Sequence, residues 1–175
     1  MDIDELVARF AALPGAAVGA GPRHPVDPDP TLAPRITGFL DAYPQLNRDA
    51  GYVEFLWKYA GLARRGDDDR QLFDVFGFSP VTADIVADFD ADVVDEEGFL
   101  YFAEAIRHGG TPDRPATLAH GFAFNLAPDR EWAVYRVVSV DEDRVEPYAP
   151  YLDSFTSFLA EVAANGGVYE PPAVP

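Results

Sequence analysis

The chain has 175 residues and is 48% hydrophobic, which fits one domain with a sizeable core. Its formal net charge is -17, from 30 acidic against 13 basic residues, a field that repels nucleic acid and anionic lipid and favours a basic partner. The absence of cysteine excludes disulfides, thiolate nucleophiles and cysteine zinc sites.

Lys58 is the one lysine beside twelve arginines, and Ala, Pro and Gly are abundant, a bias that points to a GC-rich bacterial genome. No apolar run approaches the roughly 20 residues of a membrane span. MDIDEL is acidic where a secretory signal would be basic, so a cytoplasmic protein is expected.

The spacing of Ile3, Leu6, Val7, Phe10 and Leu13 predicts a first helix over Asp2 to Leu13, with Asp2 and Glu5 as a capping box and Pro14–Gly15 as its end. Prolines at 14, 22, 25, 28 and 30 rule out helix or inner strand there. The stretch reads as a strap that ties the first helix across the body. A second helix follows from the cap Thr31, with Leu32, Ile36, Phe39, Leu40 and Tyr43 on its apolar side and Pro44 as its stop. A third runs from about Asp49 to Ala60, burying Tyr52, Phe55, Leu56 and Tyr59, with Gly61 as its C-terminal cap. At that spacing the aromatic stripe is core rather than a binding platform.

RRGDDDR is a solvated loop, QLFDVFGF has strand character, and FLYFAEAI (Phe99 to Ile106) is a clear strand. HGGTPDRP is expected to be an exposed, turn-rich loop. HGFAFNL and EWAVYRVVSV then form two half-buried strands around a turn at Pro128–Arg130. They are predicted to pair antiparallel, with Phe122, Phe124 and Leu126 on one face. An acidic turn DEDR and a connector lead to a closing helix over Asp153–Ala164, whose stripe is Phe155, Phe158, Leu159 and Val162. Helices first, strands next and a helix last predict an α+β fold: a single domain with a mostly antiparallel sheet, N-terminal helices, and a C-terminal helix packed on it. Within it, residues 1–30 are helix and strap, 31–165 core and 166–175 tail.

Chemistry is sparse. DFDAD (Asp88 to Asp92) opens like a calcium loop, but Val93 stands where glycine belongs and Phe99 where the terminal glutamate belongs. His24, His108 and His120 are isolated, and no nucleophile elbow, phosphate loop or dinucleotide fingerprint is present. No catalytic, cofactor or metal residues are assigned. The remaining candidate is acidic: Asp84, Asp88, Asp90, Asp92, Asp95, Glu96 and Glu97 fall in fourteen positions with no basic residue among them. Unpaired carboxylates are expensive to bury, so this run is either a solvated loop or a partner-binding surface.

Several short motifs together resemble the SUKH superfamily, the domain of fungal Smi/Knr cell-wall regulators and of many bacterial toxin-immunity proteins. They are Tyr52–Gly61 (YVEFLWKYAG), Gly98–Ala103 (GFLYFA), His120–Leu126 (HGFAFNL, with Asn125 where an acid is common), Val134–Tyr135, and Asp153–Leu159 (DSFTSFL). The likeness covers about Asp49 to Ala163; the proline-rich strap and the acidic stretch Asp84–Glu97 have no counterpart in it. The resemblance implies a non-catalytic protein-binding module, foremost an immunity protein against a basic, nuclease-type toxin. A regulatory or scaffolding domain with a cellular partner is the alternative, followed by a small-ligand or enzymatic role. Neither nucleic acid nor membrane is expected as a partner, and the oligomeric state is left open.

Overall fold

A computed structural model of the chain describes residues 2–67, 70–79, 94–111, 114–141, 144–145 and 148–167. Helix α1 spans Ile3–Ala11; the Asp2 carboxylate accepts the Glu5 backbone N–H at 2.8 Å. Glu5 turns its own side chain to Arg9 at 2.9 Å, so only half of the expected capping box forms. Ile3, Leu6, Val7 and Phe10 are buried.

The strap begins as an edge strand, β1 (Ala16–Val18), paired with β2 (Leu62–Arg65). Beyond β1 it is pinned to the end of α3 (Ala50–Lys58): Gly19 N–H donates to the Gly61 carbonyl, Gly21 to Lys58 and Arg23 to Trp57, at 2.8–2.9 Å. Two glycines permit this approach of backbone to backbone. A Cβ at Gly21 would fall 2.5 Å from the Trp57 carbonyl oxygen, and one at Gly19 2.7 Å from that of Tyr59. The strap thus anchors on α3 and β2, while α1 packs on the closing helix.

Helix α2 is Ala33–Ala42, entered through a 3-10 turn at Pro30–Leu32. Thr31 is not the cap: Asp29 caps the 3-10 turn, its carboxylate accepting both the backbone N–H and the hydroxyl of Thr31, and α2 follows from Leu32 without a side-chain cap. Gly38 lies in this helix with open space where a Cβ would stand. Gly38→Ala is therefore expected to raise stability by about 0.5–1 kcal/mol in denaturant melts, since alanine loses less backbone entropy in a helix.

Helix α3 ends differently from the sequence expectation. The left-handed turn begins at Ala60, with φ 53°, one residue ahead of Gly61, which is itself at φ 137°. The reason lies downstream. That geometry aims the Ala60 carbonyl at the N–H groups of Phe78 and Ser79, 2.7 and 2.8 Å away, and Gly77 admits it.

The sheet runs β1–β2–β3 (Gln71–Val75)–β4 (Phe99–Thr111)–β5 (Arg114–Asn125)–β6 (Val134–Asp141)–β7 (Arg144–Val145), antiparallel throughout, with β8 (Ala149–Leu152) also on β6. Phe122 faces Arg136 and Phe124 faces Val134 across β5–β6, as the alternation predicts. Three segments read as irregular are strand at least in part. RRGDDDR is not a loop throughout: Arg64 and Arg65 pair with β3, which supplies the ladder. HGGTPDRP belongs largely to the β4–β5 hairpin, with Gly110 opposite Pro115 and Thr111 opposite Arg114. The stretch before the last helix pairs with β6 as β8. Glycine and proline weaken a strand but do not forbid it where a neighbour supplies the ladder.

Helix α4 (Phe155–Ala164) closes the fold, capped by Ser154. Helices α1, α3 and α4 cover one sheet face, burying Phe73, Leu100, Phe102, Phe122, Phe124, Phe155 and Phe158. The α+β order expected from the sequence is the order observed.

Candidate functional site

Of the acidic run, Asp84, Asp88, Asp90 and Asp92 lie outside the described residues, as does the DFDAD motif. Asp95, Glu96 and Glu97 form the turn that feeds β4. Asp95 builds that turn: one carboxylate oxygen accepts the N–H groups of Glu97 and Phe99 at 3.0 and 2.9 Å, and the other accepts the Tyr148 hydroxyl at 2.7 Å. Gly98, with φ 85°, returns its N–H to the Asp95 carbonyl. Glu96 and Glu97 are consequently held outward in solvent.

A second acidic turn sits beside the first. Leu126 N–H donates to the Gly98 carbonyl at 2.8 Å, and the Asn125 side chain accepts the Ala127 N–H at 2.9 Å. The Tyr135 hydroxyl donates to the Glu131 carbonyl at 3.0 Å, which ties the turn to β6. Asp129, Arg130 and Glu131 are exposed there. One end of the sheet thus presents Glu96, Glu97, Asp129 and Glu131, with Arg130 among them and Arg48 lying 5.0 Å over the neighbouring Trp132 ring.

Beneath these turns, on the face away from the helices, lies an aromatic floor. Tyr148 stacks on Phe99 with centroids 3.6 Å apart, and Tyr135 meets Phe99 edge-on at 5.2 Å. Tyr101 hydrogen-bonds Tyr148 through their hydroxyls, while Ala123 and Ala133 fill the cluster. Burial, and for Tyr148 also its bonds to Tyr101 and Asp95, pushes the Tyr101 and Tyr148 phenols up. Both stay protonated at neutral pH and keep their donor capacity.

Charge counting alone singled out Asp95, Glu96 and Glu97 but missed Asp129, Glu131 and the tyrosines. The turn at Pro128–Arg130 was legible; its neighbour was not, because strand register alone brings residues 96 and 129 to one end.

Other candidates are absorbed by the fold. A groove of about 500 Å³ along α3 is lined by Arg23, Asn47, Ala50, Val53, Glu54, Trp57 and Lys58. Its polar groups are engaged: Lys58 bridges Asp4 and Glu54 at 2.8 and 2.7 Å, and the Arg23 guanidinium lies 4.4 Å over Trp57. The histidines are dispersed. His24 accepts the N–H groups of Val26 and Asp27 in the strap, His108 pairs with Thr117 in the ladder, and His120 is buried within β5. Among the described residues no three His, Asp or Glu are grouped to hold a metal ion, and no helix is long and apolar enough to cross a membrane.

Comparisons with protein-family models, curated proteins and solved structures returned no match.

Proposed function

We propose that this protein is a non-catalytic binding module that receives a basic protein partner at the acidic end of its sheet, foremost a nuclease-type bacterial toxin that it neutralises. The observation that carries this reading is the juxtaposition of two acidic turns over an aromatic floor in a chain of net charge -17. Tyrosine supplies contact area at low entropic loss, and a ring of carboxylates steers a cationic partner before contact. Nuclease toxins are basic because they grip phosphate, so charge complementarity fits that class. The resemblance to SUKH immunity proteins points the same way.

Reversing charge in a Glu96→Lys, Glu97→Lys, Asp129→Lys, Glu131→Lys variant should lower the association rate about 10- to 100-fold at low salt, and the wild-type rate should fall steeply as salt rises. Surface-resonance kinetics against the product of the neighbouring gene make the measurement. Asp95 is left intact because the turn depends on it. Unchanged rates remove this end from the interface. A wild-type protein that ignores its genomic neighbour but binds another cellular protein favours the scaffolding role.

A further inference from the structure

Strands β3 and β4 place Asp74 directly opposite Glu104. Phe73 faces the helices, so Asp74 lies on the other face of the sheet, which also carries the aromatic floor. Asp74 is fully buried; one carboxylate oxygen accepts the Arg65 guanidinium at 2.7 Å, and Oδ2 has no hydrogen-bond partner. An unmatched buried oxygen is costly, because water is lost and nothing replaces it. Directly opposite residues on antiparallel strands have Cβ atoms about 4.5–5.5 Å apart, so the two carboxyl groups are within mutual reach.

Among the described residues, the charged groups facing Asp74 are Arg65 from β2 and Glu104 from β4. Gln71 of β3 hydrogen-bonds Glu104. The β2 position opposite Asp74 is Ala63, and the β5 position opposite Glu104 is Gly121, neither of which titrates. Arg65 therefore answers Asp74 alone, and Glu104 has Gln71 rather than a cation as its partner.

We propose that Asp74 and Glu104 form a proton-binding pair, in which uptake of one proton closes an Oδ2–H···O bond between β3 and β4. The proton comes from solvent, forms the O–H bond on Asp74, and is held by the Glu104 carboxylate; it returns to solvent when the pH rises. Carboxylates this close favour a single shared proton over two full charges. Burial, aided by the Glu104 charge and opposed by Arg65, pushes the Asp74 carboxyl up to about 6. Burial also raises Glu104, against the pull of Gln71.

The direction follows from linkage. Folding favours the neutral form of a carboxyl whose pKa it raises, so the contribution is fully present below the unfolded value near 3.8 and is lost as pH climbs through about 6. The β3–β4 pairing is tightest on the acid side. Because β4 also carries Tyr101, the proton stiffens the sheet that supports the acidic end. This inference does not depend on the partner proposed above.

The test is a carboxyl carbon NMR titration combined with amide hydrogen exchange. The Asp74 and Glu104 signals should move together through a transition near pH 6, and Glu104→Gln should lower the Asp74 midpoint by about one pH unit. Exchange at Phe73–Val75 and Ala103–Ala105, corrected for intrinsic rate, should be about tenfold slower at pH 5 than at pH 7.5. Asp74→Asn should flatten that dependence. An Asp74 titration indifferent to Glu104→Gln, or protection that ignores pH in the wild type, overturns the proposal. Both readouts stand even where Asp74→Asn fails to fold.

Discussion

Phe158→Ala is expected to destabilise the protein by about 4–5 kcal/mol, the upper part of the range for truncating a buried aromatic. Phe158 is fully buried on α4 and meets strands β3, β4 and β5 at once. Its ring lies 6.0 Å from that of Phe73, 5.3 Å from Phe102 and 4.7 Å from Phe122. Those rings belong to hydrogen-bonded strands that cannot collapse inward, so the cavity stays open and each neighbour loses dispersion contacts. Denaturant melts give the number. A loss below about 1 kcal/mol means that α4 is not docked through this residue.

Asp49→Ala is expected to cost about 3–5 kcal/mol, more than an ordinary N-cap deletion of about 1 kcal/mol. Asp49 is only 5% exposed, and its carboxylate serves two helices. Oδ1 accepts the Tyr52 N–H at 3.0 Å and so caps α3; Oδ2 accepts the Phe155 N–H at 2.8 Å, in the first turn of α4. Its negative charge sits at the positive ends of both helix dipoles. Alanine would strand two N–H groups against the cluster of Tyr52, Phe55 and Phe155. Asparagine keeps one acceptor and turns an amide donor toward the other N–H, so Asp49→Asn should lose roughly half as much. Melts of both variants, with exchange at the Tyr52 and Phe155 amides, make the check. An asparagine variant as stable as the wild type would falsify the two-helix role.

The local grammar of the chain was readable residue by residue. Apolar spacing of 3.6 placed the helices and their buried faces, because a helix end needs a cap and a buried stripe needs a repeat. Alternation of period two placed Phe122 and Phe124 on the core side, since a strand alternates its faces. The limits of that grammar show at Ala60, where a tertiary hydrogen bond overrides the preference for glycine, and at His108–Thr111 and Arg114–Pro115, where a neighbouring strand recruits a sequence that reads as loop. Asp49 is a similar case: its role at α3 is local and legible, while its bond to Phe155, 106 residues away, is not.

The acidic composition and the Asp95–Glu97 cluster were determined by the sequence itself, for charge needs no fold to be counted. Only the tertiary structure decided that Asp95 faces inward to build a turn, that Glu131 and Asp129 stand beside Glu96, and that Tyr148 lies on Phe99. The same holds for Asp74 and Glu104, thirty residues apart and joined by register. Pairings of this kind depend on which residues face each other across a ladder. A shift of one residue would turn every one of them to the opposite face, and no local preference states that register.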